Sequence, residues 1–246
     1  HVSSVYTSLT MNDPAHGGMY WLSITTKAIS KIGVPIFLLI GGRFALHRDF
    51  SFKKFYSKKF SKIMPIIIFW ILFYTFYTMW LNRTWDNDKL WQDAWHGFIT
   101  GFPFAHLWFL YLLVGLYVAT PVLILIINKL SLKESRWLAI GMLLFGYALY
   151  AWDFNYGGHP GWGVWWVYYA GYYVAGYAFR DFKISTFLAL PIMAICMAIT
   201  VWGIHTGSQE FWYNKNSIFM IGAGLAMYFA FNGYTIKNQL WTKLTT

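Results

Sequence analysis

The sequence predicts an all-α protein, a polytopic transmembrane helical bundle of about seven spans. Three observations lead there. Residues 99–128 run for 30 positions without an Asp, Glu, Lys or Arg, and a helix needs only about 20 apolar residues to cross a bilayer core. Apolar residues make up 58% of the chain and charged residues 11%, against roughly 25% charged in a soluble domain. No stretch alternates apolar and polar residues as a barrel strand does. Backbone groups in lipid must pair internally, so each span reads as a helix.

Taken in order, the spans cover residues 29–46, 63–81, 105–128, 137–152, 163–179, 184–204 and 217–233. Each is a charge-poor run bounded by polar or charged connectors. The first carries two lysines, Lys27 and Lys31, in or beside its start. The second follows a basic loop, and the third opens at His106. Pro35, Pro65, Pro121 and Pro191 fall in or near spans, which membrane helices tolerate when neighbours satisfy the freed carbonyls. Aromatics at 22% suit the interfacial belts where Trp and Tyr settle. One cysteine, Cys196, permits no internal disulfide. No soluble domain, long linker or clear repeat interrupts residues 1–246, which read as one transmembrane domain.

Charge orients the bundle. Of the 19 basic residues, 14 lie in one alternating set of connectors. These are Arg43, Arg48, Lys53, Lys54, Lys58, Lys59 and Lys62, then Lys129, Lys133 and Arg136, then Arg180 and Lys183, and finally Lys237 and Lys243. The other connectors hold Arg83, Lys89 and Lys215. The positive-inside rule puts the rich set in the cytoplasm, so residues 1–20 are expected outside and the C-terminus inside. The same alternation accounts for the net charge of +10 without nucleic acid as a partner. The first residues, from His1 onward, do not read as a signal peptide. An outer start implies an odd number of helices before it, one being the simplest case.

Some residues stand out chemically. Lys27 and Lys31 are four apart and share a helix face. A lysine in lipid either snorkels to the interface or meets water or a partner. The cationic stretch 48–62 serves either as a topology signal beside anionic lipid or as a site for a phosphorylated cytosolic donor. On the outer side, Trp152 to His159 with Trp162, Trp165 and Trp166 forms one aromatic group. His205, Glu210, Phe211, Trp212 and Tyr213 form another. Such groups suit either the interfacial belt or sugar rings, with Asp153 and Glu210 as acids among aromatics. No metal-ligand spacing, phosphate-binding loop or nucleophile elbow occurs.

Four stretches in order resemble the acyltransferase 3 family of integral membrane acyltransferases. Residues 30–42, SKIGVPIFLLIGG, resemble its second helix, and Lys59-Phe-Ser-Lys62 its basic entry into the third. His106-Leu-Trp108-Phe-Leu is similar to its His-Leu-Trp-Phe-Leu segment, and the Tyr/Gly-rich run 168–177 to a later helix. Gly41, Arg43 and the lysines depart from the usual Ser, Tyr and Arg-x-x-Arg. Lysine lacks the bidentate fork of arginine.

The resemblance implies a family core of about ten helices, of which this stretch holds most. It implies acetyl-CoA as donor, with its phosphates on Arg43, Lys59 and Lys62. It implies His1 as the catalytic histidine, and Lys31 is a neighbour able to stabilise an oxyanion. His106, Trp108, Asp153 and Glu210 are the candidate contacts to the acceptor. The expected function is O-acetylation of a cell-envelope or secreted glycan, by a multi-pass protein of a bacterial inner or plasma membrane. The alternative is a transporter or flippase for a polysaccharide or lipid-linked glycan.

Overall fold

A computed structural model describes residues 17–46, 51–82, 91–92, 95–96, 107–157 and 161–232. They form helices and no strand. In chain order these are α1 (Gly18–Lys31), α2 (Gly33–Ala45), α3 (Phe52–Asn82), α4 (Trp108–Lys129), α5 (Leu132–Tyr156), α6 (Trp162–Ala178), α7 (Thr186–Thr206), the single turn α8 (Gln209–Trp212) and α9 (Ile218–Asn232). Among the described residues, five stretches are long and apolar enough to cross a membrane: Gly18–Ala45, Phe55–Tyr77, Trp108–Lys129, Leu132–Tyr156 and Thr186–Thr206. Their outward faces carry Phe187, Trp202, Ile126 and Leu144 in the open. So much exposed apolar surface marks a membrane-facing exterior, so this is a multi-pass membrane protein.

Two helix starts differ from the sequence expectation. The first span begins at Gly18, not at residue 29, so Lys27 and Lys31 lie inside it. The lysines look like a boundary in the sequence; in the fold they are accommodated by a ring described below. Second, the basic stretch is not a loop: from Phe52 onward it forms the first turns of α3. Lysine is a good helix former, and a helix is free to continue past the bilayer into water.

Local sequence explains the ends and breaks. Ser131 accepts from the Glu134 amide at 3.3 Å, while the Glu134 carboxylate accepts from the Ser131 amide at 2.7 Å. This reciprocal cap starts α5. Gly157 stops it at φ 72°, a left-handed conformation that glycine adopts without strain. Between α1 and α2 the break is one residue wide, at Ile32. Pro35 has no N–H, so the Lys31 carbonyl four residues earlier loses its helical donor.

The described residues fall into two compact units, His1–Ile40 with Phe179–Thr246, and Gly41–Ala178. In the first, Tyr20, Ile24, Ala28 and Ile32 form a buried stripe along α1. They pack with Met197 and Ile204 of α7 and with Met220 and Ala223 of α9. The four-residue spacing puts them on one face. The Asn232 amide donates to the carbonyls of Phe179, Arg180 and Phe182 at 3.1, 2.7 and 3.0 Å, tying the end of α9 to the segment before α7.

In the second unit α6 is the central element. Its residues Ala170–Ala178 are all buried. Gly171 lies against the backbone of Met142 and Leu143, and Gly146 against the Tyr168 carbonyl, with no room for a Cβ. Small residues let membrane helices approach this closely. Toward α4, the Tyr173 hydroxyl pairs with Thr120 Oγ1 at 3.1 Å in a fully buried site. Thr120 in turn donates to the Leu116 carbonyl at 2.7 Å. The Arg136 Nε closes α6 by donating to the Ala178 carbonyl at 3.3 Å.

Candidate functional site

The site is built in the first unit, where α1 meets the connector between α7 and α9. The chain from Gly207 to Ser217 joins α7 to α9. Gly203, without a side chain, leaves room for the Trp212 ring, which stacks on Phe219. After it the backbone turns sharply. The Asn216 amide donates to Asn214 Oδ1 at 2.9 Å, and Ser217 Oγ accepts from the Met220 amide at 3.4 Å. Asn216 and Ser217 are buried.

This turn brings Tyr213 and Lys215 against α1. Lys27 Nζ lies 4.6 Å, and Lys31 Nζ 4.4 Å, from the centre of the Tyr213 ring. Both are cation–π distances. Lys31 stands 13 residues beyond Gly18, about 20 Å along the axis. It is thus well inside the span rather than near its first residue, and the Tyr213 ring is a partner that Lys27 and Lys31 share there. Burial pushes the Tyr213 phenol up, so it stays neutral and keeps its proton. Burial, with Lys31's charge behind it, pulls the Lys215 ammonium down to about 7. Among the described residues, no carboxylate is in ion-pair range of Lys27 or Lys31; the ion pair found is Arg180–Asp181 at 3.7 Å.

On the side that the charge pattern assigns to the outside, aromatic residues border this cluster. Tyr20 OH and His205 Nδ1 are 3.4 Å apart. The rings of Trp21 and Trp202 lie 4.6 and 6.1 Å from that of His205. An apolar groove of about 800 Å³ runs down the flank of α1 and α7, between Trp21, Ile29, Met193 and Trp202.

The other expected site residues are distributed as follows. His1 and His106 lie outside the described residues. Glu210 sits exposed on α8 in the first unit. In the second unit, Asp153 accepts a hydrogen bond from the Tyr168 hydroxyl, and the Trp108 ring lies 5.8 Å from that of Tyr169. Arg43 is in the last turn of α2, partly buried. Lys59 Nζ stands 5.2 Å from the centre of the Tyr117 ring, whereas Lys62 is exposed. Among the described residues no group of three or more His, Cys, Asp or Glu is placed to hold a metal ion.

Sequence reasoning placed Tyr213 in an outer aromatic group and Lys215 in an outer connector, but did not bring either to the lysines of the first span.

Fold and site together define a helical membrane protein that keeps a cationic, aromatic-walled cluster within its spans. The chain belongs to the acyltransferase 3 family: that family's model, described as an acyltransferase domain, matches residues 1–245. It is a membrane acyltransferase. No curated protein and no solved structure gives a significant match.

Proposed function

We propose that this membrane acyltransferase moves an acetyl group from cytosolic acetyl-CoA to a hydroxyl of a cell-envelope or secreted glycan on the outer side. The observation that carries the reading is Lys31, a lysine held deep in an apolar span of a chain whose family transfers acyl groups. A cation there costs several kcal/mol unless it has a use or a partner. An acyl transfer offers one. When the glycan hydroxyl attacks the thioester carbon, negative charge develops on the carbonyl oxygen, and a fixed ammonium stabilises it.

In the reaction, the imidazole of His1 removes the hydroxyl proton as the new C–O bond forms. The tetrahedral intermediate then expels the CoA thiolate by breaking the C–S bond. The imidazolium returns the proton to sulfur, giving an acetyl ester and free CoA. Arg43, Lys59 and Lys62 hold the donor's phosphates. Support for this comes from Lys53, Lys58, Lys59 and Lys62, which lie in the first three turns of α3 and offer ammonium donors to phosphate oxygens. Trp108, Asp153, Glu210 and His106 are assigned to the acceptor.

The test is reconstitution. Vesicles loaded with acetyl-labelled CoA and supplied with glycan outside should yield ester-linked label on the glycan. His1→Ala should cut that rate by about 10²- to 10⁴-fold, the usual worth of a general base, and leave donor binding intact. Glycan movement across the bilayer without acetyl-CoA, and with no labelled product, would instead establish the exporter.

A further inference from the structure

One buried hydroxyl in the second unit has no partner among the described residues. Tyr169 of α6 is 9% exposed, and its phenol makes no hydrogen bond there. Its neighbours on the helix differ. Tyr173, one turn on, pairs with Thr120 Oγ1, and Tyr168, one residue before, donates to Asp153. Buried polar groups are nearly always paired, so an exception calls for a reason. Packing accounts for the ring, which lies against Trp108 with centroids 5.8 Å apart. Phenylalanine would fill the same space, so packing does not account for the hydroxyl.

The surroundings suit a sugar. Trp108 is the first residue of α4 and is partly exposed, so a sugar lying on it is one ring away from Tyr169. Asp153 stands three residues from the end of α5 and is also partly exposed. It accepts from Tyr168 through Oδ2 and forms no ion pair among the described residues, so its carboxylate keeps acceptor capacity. Tyr168 and Tyr169 are consecutive, and Gly146 of α5 lies against the Tyr168 carbonyl. One clamped turn of α6 thus carries the phenol and holds the carboxylate. We propose that Tyr169 is a hydrogen-bonding residue for a neutral sugar of the acceptor glycan. Its phenol meets one hydroxyl, the Trp108 ring covers the C–H face, and Asp153, held by Tyr168, accepts from a second hydroxyl. The assignment to the acceptor rests on the function proposed above. A carboxylate with no cation beside it repels an acidic sugar, and a site built around a hydroxyl rejects an analogue that lacks it.

The test compares the whole protein in neutral detergent with its Tyr169→Phe variant, which loses one oxygen and keeps the ring. Probes are glucose, galactose, N-acetylglucosamine and glucuronate, with binding read by saturation-transfer NMR. At least one of the three neutral sugars should bind saturably, and glucuronate at least fivefold more weakly. Tyr169→Phe should weaken the bound sugar at least fivefold, while acetyl-CoA affinity does not move. Without sugar, Tyr169→Phe should unfold at the same temperature as the parent or higher, because no partner is lost. A hydroxyl kept for structure would give the opposite sign. Parental sugar binding by a folded Tyr169→Phe, or a lowered unfolding temperature, overturns the site. So does a parent that binds none of the neutral sugars, or binds glucuronate as tightly. Acetyl transfer is scored separately. Transfer whose acceptor KM is unmoved by Tyr169→Phe removes the inference and leaves the enzyme. Tyr169-dependent sugar binding without any acetyl transfer keeps the sugar site and removes the enzymatic reading.

Discussion

Lys215 shows how one residue couples the fold to pH. Burial and the charge of Lys31 bring it to about 7, from an ordinary 10.5. Unfolded Lys215 keeps its proton up to about 10.5, so between the two values the folded state gains stability as pH rises. Thermal unfolding between pH 6 and 8.5 should show this, with K215R flattening the curve because arginine stays charged. The charge felt at Lys215 is that of Lys31 on α1, and His205→Gln on α7 is the control for imidazole. A pH dependence that survives K215R and vanishes in His205→Gln would move the titration to the histidine.

Among the elements, the α5–α6 pair depends most on what is missing. Gly171 sits where any Cβ would meet the Met142–Leu143 backbone. Backbone cannot yield as a side-chain tip can, so Gly171→Val should lower the unfolding temperature clearly and reduce the folded yield. Gly141 lies on the same helix as Leu143, but a Cβ there meets nothing within 4 Å. Gly141→Ala should therefore be neutral or stabilising by about 0.5–1 kcal/mol, from helix propensity alone. Thermal unfolding of the two variants side by side checks the packing. A Gly171→Val protein as stable as the parent would mean that α5 and α6 are not in this close contact. The α1–α2 pair has its own device. Pro35 and the break at Ile32 fall right after Lys31, so the deep lysine and the freed carbonyl are found at one level of the span.

For the whole molecule the decisive question is orientation. The charge asymmetry puts 14 basic residues in one set of connectors and three in the other, and lipid enforces that bias through the positive-inside rule. In a variant with Cys196 replaced, cysteines at Asn87 and Gly157 should react with an impermeant maleimide in sealed cells. One at Ser57 should react only after permeabilisation. Labelling at 57 in intact cells would invert the protein, and His1 would then face the cytosol.

Much of the fold was legible because lipid is a simple solvent. Apolar length sets the number of spans, and all seven expected runs correspond to helices. The cap at Ser131 and Glu134 and the stop at Gly157 are local signals of the kind a sequence carries whole. Helix starts were less legible where charge and span coincide. Lys27 and Lys31 seem to bound a helix until a ring accommodates them, and a basic stretch seems a loop until its helix continues into water.

By itself, then, the sequence determined the class of protein, its family and the segregation of its charges. These follow from composition, run length and short motifs, none of which needs a partner from elsewhere in the chain. Only the tertiary structure decided what the lysines of the first span meet. Tyr213 and Lys215 are about 185 residues away along the chain from Lys27 and Lys31. They arrive because Gly203 leaves room for the Trp212 ring and the chain turns at Asn214–Ser217. Contacts of that kind depend on three-dimensional packing, which no local pattern encodes.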